Sequence, residues 1–225
     1  MLQPAGTMQR NGIGDKVSDY KFTVSDELSS IDTEDLWVYN KMILSQVMGY
    51  VSGPAGLEVP SPDFYIVRPC MNFMGMGRFS RKEYLSDSTE HLHPGEFWCE
   101  IFEGRHISID YYQRTPALVV EGLRGAQEPL YQWKQWVKVD YSIPFPEVLM
   151  GVSNKYDWIN CEFIGDKLIE VHFRRNPDFR YGNDSVTPIW EGDEIPDGVQ
   201  YIQDEDYKRK GFILDGPRIH EGDCK

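Results

Sequence analysis

The most regular pattern of apolar and polar positions lies in residues 158–174. Apolar residues alternate with polar ones on both sides of residues 165–166, which predicts two short strands joined by a tight turn. Because successive side chains of a strand point to opposite faces, the polar positions should share one face. Those expected on that face are Glu162, Glu170, His172 and Arg174. Such crowding of charged groups indicates a functional site rather than a role in packing.

A helical period occurs earlier, where apolar residues recur at spacings of three and four. The apolar stripe consists of Leu36, Tyr39, Ile43 and Val47. It predicts one helix that begins near Asp32 or Thr33 and ends at Gly49. Lys41 lies off this stripe, and for a lone lysine a solvated side chain is the ordinary expectation.

A buried type of strand is predicted over residues 63–69, which end on Arg68. Residues 70–78 follow with two glycines, which permit tight turns and close approach of the backbone to a phosphate. Arg78 stands at the far side of this loop. The loop is not a Walker motif, because the Gly-Lys-Ser/Thr sequence is missing.

The remaining pattern is mostly that of strands. Strands are expected over 95–102, 105–112, 117–121 and 131–137, and short helices over 80–85 and 146–154. From residue 176 onward the chain is rich in glycine, proline and acid, and we expect irregular structure with one last edge strand at 211–216. The fold class is therefore α+β, with mostly antiparallel sheet and a few helices. The aromatic cluster near residue 133 is expected to lie in the core or on a sheet face.

Composition narrows the function classes. The chain of 225 residues has 23 basic and 36 acidic residues, so its formal net charge is −13. We therefore expect no nucleic-acid partner, because phosphate contacts need a basic surface. No apolar run predicts a signal sequence or a membrane span, and the four cysteines lack CxxC spacing. These features favour a cytoplasmic protein without membrane attachment and with reduced thiols.

Three segments, in order, resemble the ATP-grasp superfamily, most closely the ATP-binding halves of carbamoyl-phosphate synthetase and biotin carboxylase-like ligases. Residues 66–77 resemble its strand and flexible phosphate loop. Residues 100–106 resemble its adenine hinge, and residues 169–174 resemble its Glu-x-Asn-x-Arg metal and phosphate motif. The resemblance covers about residues 35–178. It implies a compact ATP-grasp-like fold with a nucleotide cleft between two small lobes.

The resemblance also implies domain limits and residue roles. The core would span 31–178, between a loosely ordered arm at 1–30 and an acidic extension at 179–225. The residues that would contact ATP are Lys41, Arg68, Gly75, Met76, Gly77, Glu100, Ile101, Phe102 and His106. The residues that would hold Mg²⁺ are Glu162, Glu170 and His172. The catalytic residues would be Arg68, which grips the phosphates, and Arg174, which neutralises charge on the transferred phosphoryl group.

The implied activity is that of an ATP-dependent carboxylate–amine ligase acting on a small-molecule carboxylate. The sequence departs from the family at His172, where asparagine is usual. Imidazole suits magnesium poorly, which favours Mn²⁺ at this site, or no direct contact of His172 with the metal and Asn176 or Asp178 as substitute ligands. His106 stands near the position of a ribose-binding glutamate. A separate N-terminal domain is not evident, so the chain is a minimal ligase, is completed by a partner protein or second copy, or has lost activity. The alternative is a non-catalytic nucleotide-binding or protein-interaction module with the same fold.

Overall fold

The computed structural model describes residues 28–72, 77–125 and 128–217. Two antiparallel sheets and a few short helices make up these residues, which confirms the predicted α+β class. The smaller sheet has the order β1-β4-β2-β3. Its strands are β1 (Ser52–Pro54), β2 (Asp63–Pro69), β3 (Arg81–Leu85) and β4 (Glu96–Cys99).

The larger sheet has eight strands in the order β11-β12-β10-β7-β6-β5-β8-β9. Its strands are β5 (His106–Tyr112), β6 (Thr115–Leu123), β7 (Gln135–Lys138), β8 (Trp158–Ile164), β9 (Lys167–His172), β10 (Ser185–Trp190), β11 (Gln200–Asp206) and β12 (Arg209–Leu214). No helix in the described ranges has both the length and the apolar character that a membrane crossing requires.

The predicted single helix is instead two segments. A 3-10 helix covers Thr33–Tyr39, and an α-helix, α1, covers Lys41–Val47. Asn40 separates them, because its extended backbone ends the first segment and its side chain caps the second by accepting hydrogen bonds from two amides of the first α-helical turn. This interruption shifts the phase of the helix. Lys41 therefore turns inward and is only 2% exposed, whereas Val47 is 52% exposed.

Three other predictions were wrong. Residues 80–85 contain strand β3 rather than a helix, because pairing with β2 along its whole length outweighs local propensity. Residues 146–154 form two 3-10 turns, Glu147–Leu149 and Val152–Asn154. The segment after residue 176 is not irregular, since β10, β11 and β12 continue the larger sheet through the pairing of β10 with β7. The strand predicted at 211–216 overlaps β12, which lies between β10 and β11 rather than at the edge.

Pro188 explains why β10 was missed. A proline normally argues against a strand within a sheet, because it lacks the N–H that the ladder needs. Here β7 pairs with β10 only at Ser185 and Val186, so at Pro188 the strand has a neighbour on one side, β12. The proline therefore occupies a position that behaves like a sheet edge.

The two faces of the larger sheet have different characters. On β5, Ile107, Ile109 and Tyr111 belong to the main hydrophobic core, which also contains side chains of the helical segments such as Val38 and Leu44. The alternate residues of β5 are polar and point to the other face: His106, Ser108 and Asp110. The main core thus packs on one side of β5. The other side carries these polar residues and, further along the sheet, a second hydrophobic cluster of Val120, Phe179, Val186, Phe212 and Leu214.

The predicted hairpin is present, but its register contains a β-bulge. Next to the turn, Phe163 pairs with Leu168, whereas Glu162 pairs with Glu170, so Ile169 is the extra residue. A regular ladder would have placed Glu170 opposite Cys161, which lies in the hydrophobic core. The bulge therefore turns Glu170 to the polar face.

Two glycines hold the turn of this hairpin against the segment that joins the two sheets. Gly104 has φ +124°, and a Cβ there would lie 2.8 Å from the Cα of Gly165. A Cβ on Gly165 would lie 2.9 Å from the carbonyl oxygen of Glu103. The backbone is fastened here by a hydrogen bond of 2.9 Å from the Gly165 amide to the Arg105 carbonyl.

We expect Gly104→Ala to lower the free energy of unfolding by about 2 kcal/mol or more, because both its φ and its backbone neighbour exclude a side chain. Urea unfolding followed by circular dichroism would measure this. Gly151→Ala is the control, since Gly151 has φ −64° and open space around it. It should change stability by no more than about 1 kcal/mol. Equal effects of the two substitutions would contradict the close approach.

Candidate functional site

A cleft of about 720 Å³ lies between the two sheets. Arg68 and Cys99 of the smaller sheet line one side, and His106, Glu162 and Glu170 of the larger sheet line the other. This volume falls within the range of small-molecule sites. The polar face of the larger sheet is thus the floor of a cavity.

Two carboxylates stand side by side on this floor. Glu162 on β8 and Glu170 on β9 are direct cross-strand partners. Like charges in such positions repel each other, so the pair requires compensating cations. The structure provides them on several elements that surround the pair.

Lys41 and Asn72 hold Glu170. The Lys41 Nζ donates to Asn72 Oδ1 and lies 3.6 Å from Glu170 Oε2, and Asn72 Nδ2 donates to Glu170 Oε1. Burial lowers the pKa of Lys41 below its ordinary value. Burial alone would raise the pKa of Glu170, but Lys41, His172 and Arg68 together lower it, so the carboxylate is ionised. Lys41 is therefore a buried site residue and not the solvated lysine that the pattern suggested.

Arg68 reaches across from the smaller sheet. Its Nη2 donates to the carbonyl oxygen of Ile169, the bulged residue, at 3.3 Å, and its guanidinium lies 5.2 Å from the ring centre of Phe97. Burial lowers the pKa of Arg68. Its Nε is buried and has no hydrogen-bond partner among the described residues. A buried guanidinium with an unused N–H is suited to an anionic ligand.

Each carboxylate also contacts a histidine. His106 Nε2 lies 3.0 Å from Glu162 Oε2, and His172 Nε2 lies 3.1 Å from Glu170 Oε1. The predicted metal set is therefore brought together in part, as Glu170 with His172. Within the described ranges, the group of three whose ligand atoms approach within 4.8 Å is a different one, Asp32 with Glu34 and Asp35. Lys155 already forms ion pairs with all three of these acids.

The predicted hinge also lines the cleft. Glu100, Ile101 and Phe102 follow β4 at the junction of the two sheets. The Glu100 side chain accepts a hydrogen bond of 2.8 Å from the Val51 amide, and the Phe102 ring packs on Tyr50 at 4.7 Å. The first contact engages the Glu100 carboxylate and the second covers the Phe102 ring. Of the three side chains, that of Ile101 is exposed to solvent, with 36% of its surface accessible.

The loop predicted to contact phosphate is described only in part. Gly77 lines the cleft and has φ +63°, a left-handed conformation that favours glycine. The predicted contacts Gly75 and Met76 lie outside the described residues. Their roles stay predictions.

Arg174 lines the same cleft just after β9, and its Nη1 donates to the Arg175 carbonyl at 3.2 Å. The chain beyond it is held by Asp110, whose carboxylate accepts from the Asn176 amide at 2.9 and 3.0 Å. Burial raises the pKa of Asp110. Asn160 Nδ2 also donates to Asp110 at 2.9 Å. Asp110 thus fixes the backbone that carries Arg174.

Sequence reasoning missed three groups: Asn72, the pair Asp110 and Asn160, and the tryptophans Trp133 and Trp136. Asn72 follows the arginine strand closely, a placement that was a usable signal. The alternation of polar residues along β5 was the signal for Asp110. The tryptophans were assigned to a core or sheet face, and they lie on the sheet face that lines the cleft.

Comparison with known proteins gives distant structural likeness. No protein-family model and no curated protein matches the chain. A protein assigned to the ATP-grasp superfamily from Archaeoglobus fulgidus is 13% identical, with 79% of this chain and 64% of that one covered and a TM-score of 0.44. The ATP-grasp ligase PsnB, solved with a minimal precursor, is 10% identical, with 62% and 52% covered and a TM-score of 0.39. An L-amino acid ligase from Bacillus licheniformis is 12% identical, with 64% and 42% covered and a TM-score of 0.36.

These neighbours include members of the superfamily that the sequence motifs resemble. The chain spans between 42% and 64% of the length of the three proteins.

We expect Lys41→Met to lower the free energy of unfolding by about 3–5 kcal/mol, because it leaves the Glu170 carboxylate buried without its main cation. Urea unfolding would measure the change. Lys167→Met, on the same hairpin but with a side chain 44% exposed, is the control and should change stability by about 0.5 kcal/mol or less. A similarly small loss for Lys41→Met would refute the role of the buried pair.

The lowered pKa of Glu170 predicts a pH dependence of stability. A glutamate whose pKa is depressed on folding stabilises the fold fully above about pH 4.3, its ordinary pKa, and loses that contribution as the pH falls through the folded-state value. Glu170→Gln should therefore be less stable than wild type near neutral pH, and the difference should shrink at lower pH.

Urea midpoints for both proteins at about pH 7 and about pH 3, either side of the ordinary glutamate pKa, would measure it. Glu205→Gln is the control, because Glu205 is exposed and should give no such pH-dependent difference. A constant gap between wild type and Glu170→Gln at both pH values would exclude the lowered pKa.

Proposed function

We propose that the protein is an ATP-dependent ligase that activates a carboxylate by phosphoryl transfer for attack by an amine or another nucleophile. The observation that carries the proposal is the pair Glu162 and Glu170, opposed on adjacent strands at the floor of the cleft and surrounded by Lys41, Arg68 and Arg174. Adjacent acids ringed by cations are suited to a ligand that brings both a metal ion and phosphates.

The donor set fits a magnesium ion in one respect and departs from it in another. Glu162 and Glu170 offer the oxygen ligands that magnesium requires, and such sites commonly use one or two carboxylates together with substrate phosphates. The imidazole of His172 is a better ligand for manganese. A metal ion held by Glu162 and Glu170 would supply positive charge that offsets the charge of the phosphates.

The cations have distinct tasks in this proposal. Arg68, with its buried and unused Nε, would bind the phosphates from the side of the smaller sheet. Lys41 holds Glu170 in place through Asn72 and adds positive charge beneath the phosphates. Arg174, on the segment fixed by Asp110, would neutralise charge at the transferred group. The hinge residues Glu100–Phe102 would lie beside the adenine.

The reaction has two steps. An oxygen of the acceptor carboxylate attacks the γ-phosphorus, the bond from that phosphorus to the bridging oxygen breaks, and ADP leaves with the bonding electrons. The acyl phosphate then reacts with an amine: a C–N bond forms, the C–O bond to phosphate breaks, inorganic phosphate leaves and the amine loses a proton to solvent. Positioning and electrostatics supply the catalysis.

A second candidate is nucleotide binding without turnover. It is favoured by the contacts of His106 and His172, which engage both carboxylates. This candidate predicts nucleotide binding with no ADP released in the presence of carboxylate and amine mixtures. Release of ADP that depends on the carboxylate would count against it.

We expect calorimetry to detect binding of ATP or ADP with Mg²⁺ or Mn²⁺. Glu170→Ala should weaken the metal-dependent part of that binding at least about tenfold, since about 1.4 kcal/mol of metal coordination corresponds to that factor. The exposed Glu205→Ala serves as the control and should bind like wild type. Circular dichroism would establish that both variants are folded. If neither metal supports binding at millimolar nucleotide, the proposal is refuted.

A further inference from the structure

We propose that one end of the cleft is the acceptor site and that it selects an aromatic carboxylate. Trp133, Trp136 and Arg124 form this end, which we name the aromatic wall. The assignment deepens the proposed ligase function, on which the acceptor role rests. The binding of an aromatic anion follows from the wall itself.

A glycine creates the wall. In the larger sheet His106, Gly122 and Trp136 are consecutive cross-strand partners on β5, β6 and β7. A Cβ on Gly122 would lie 2.8 Å from Trp133 Cε3 and 2.9 Å from Trp136 Cη2. Both indoles therefore lie over the strand only because residue 122 has no side chain.

The rings have defined positions. The centres of Trp133 and Trp136 are 4.7 Å apart with an angle of 51°, and the His106 ring lies 4.5 Å from Trp133. The Trp133 carbonyl accepts a hydrogen bond of 3.0 Å from Trp190 Nε1, which fixes its backbone. Tilted rings that are half-buried in a cleft offer edges and faces on which another aromatic ring can pack.

Arg124 gives the wall its charge. Its guanidinium lies 5.4 Å from the Trp133 ring centre, and its Nη1 donates to the Leu130 carbonyl at 3.1 Å. No carboxylate forms an ion pair with it in the described part of the chain. The nearby Glu128 instead accepts from the Gly125 amide at 3.0 Å and lies 3.9 Å from Lys134. Burial lowers the pKa of Arg124, which marks the loss of water around its charge. A partly buried guanidinium beside an aromatic ring is suited to a carboxylate.

The wall is connected to the phosphoryl-transfer end of the cleft. Gly122 and Ile164 are the partners of His106 on either side, so two strand spacings, roughly 10 Å, separate β6 from β8. His106 bridges this distance, with its ring against Trp133 and its Nε2 at Glu162. An aromatic acid on the wall would therefore share the cleft with a nucleotide bound at the carboxylate pair.

The charge and shape of the wall decide the class of occupant. An aliphatic acid would satisfy Arg124 and leave the indoles uncovered, whereas a neutral aromatic molecule would leave the guanidinium unpaired. A molecule with both an aromatic ring and a carboxylate satisfies both. In the proposed reaction its carboxylate oxygen attacks the γ-phosphorus and ADP leaves, as described above.

The test measures binding of three matched probes to the full chain by calorimetry, with and without Mg²⁺ and a non-hydrolysable ATP analogue. The probes are 3-phenylpropanoate, butanoate and 3-phenylpropanol. We expect 3-phenylpropanoate to bind at least about tenfold more tightly than the other two, because each of those loses one contact worth about 1.4 kcal/mol. Equal affinity for butanoate, or no binding of 3-phenylpropanoate at millimolar concentration under either condition, would overturn the proposal.

Variants localise the binding. Arg124→Ala and Trp133→Leu should each weaken binding of 3-phenylpropanoate at least about tenfold. Arg124→Lys should give an intermediate loss, because it keeps the charge and loses the planar guanidinium that can bind a carboxylate with two hydrogen bonds. This variant also tests the site if Arg124→Ala does not fold. Arg114→Ala and Trp158→Leu, at residues that do not line the cleft, are the matched controls and should bind like wild type. Wild-type binding by both Arg124 variants would overturn the site.

The affinity for nucleotide is measured separately in the same samples. Binding of nucleotide with equal affinity for the three probes overturns the aromatic acceptor and leaves the ligase proposal intact. Binding of 3-phenylpropanoate that depends on Arg124, in a protein that binds no nucleotide, supports the wall as a site for an aromatic carboxylate and refutes the ligase function.

Discussion

The buried contact of Lys41 with Glu170 is the interaction on which the rest of the site depends. An ionised carboxylate away from water is expensive unless cations and hydrogen bonds surround it. Lys41, Asn72 and His172 provide that surrounding, and each comes from a different part of the chain. Helix α1, the loop after β2 and strand β9 must therefore meet at one point. The fold of the helical segment and the register of the hairpin are both consequences of that requirement.

On strand β8 of the larger sheet, side chains alternate between the main hydrophobic core and the cleft. The cleft side of the sheet also carries the second hydrophobic cluster, so packing and the candidate site share that face. The smaller sheet closes the cleft and contributes Arg68, and residues 100–102, which follow its strand β4, also line the cavity. Arg124, Trp133 and Trp136 extend the polar floor into an aromatic region, so a single continuous cavity combines strongly charged and apolar surfaces.

Much of this architecture could be predicted from the sequence, because it follows from short-range patterns. Strand β2 was predicted from a short run of buried type that ends on a charge, and the hairpin from alternation and a Gly-Asp turn. The mostly antiparallel α+β class is confirmed. The burial of Lys41 could not be predicted, since it depends on a break at Asn40 that a stripe of apolar residues does not reveal. The strands after residue 176 were missed because a proline such as Pro188 and an acidic composition are both typical of loops. The pairing of Glu162 with Glu170 needed the bulge, whose signal is two consecutive apolar residues, Leu168 and Ile169.

The bulge at Ile169 also determines how the two sheets are joined. An extra residue in a ladder leaves backbone groups without their regular partners. The carbonyl of Ile169 accepts a hydrogen bond from Arg68. A backbone oxygen of the larger sheet is therefore bonded to a guanidinium of the smaller sheet. This bond lies beside the carboxylate pair at the base of the cleft. Any widening of the cavity must either pivot about it or give up a charge-assisted hydrogen bond, worth roughly 1.5–3 kcal/mol. A ligand that engages the unused Nε of Arg68 would leave the Nη2 bond to Ile169 in place, so one guanidinium would hold both the ligand and the junction of the two sheets.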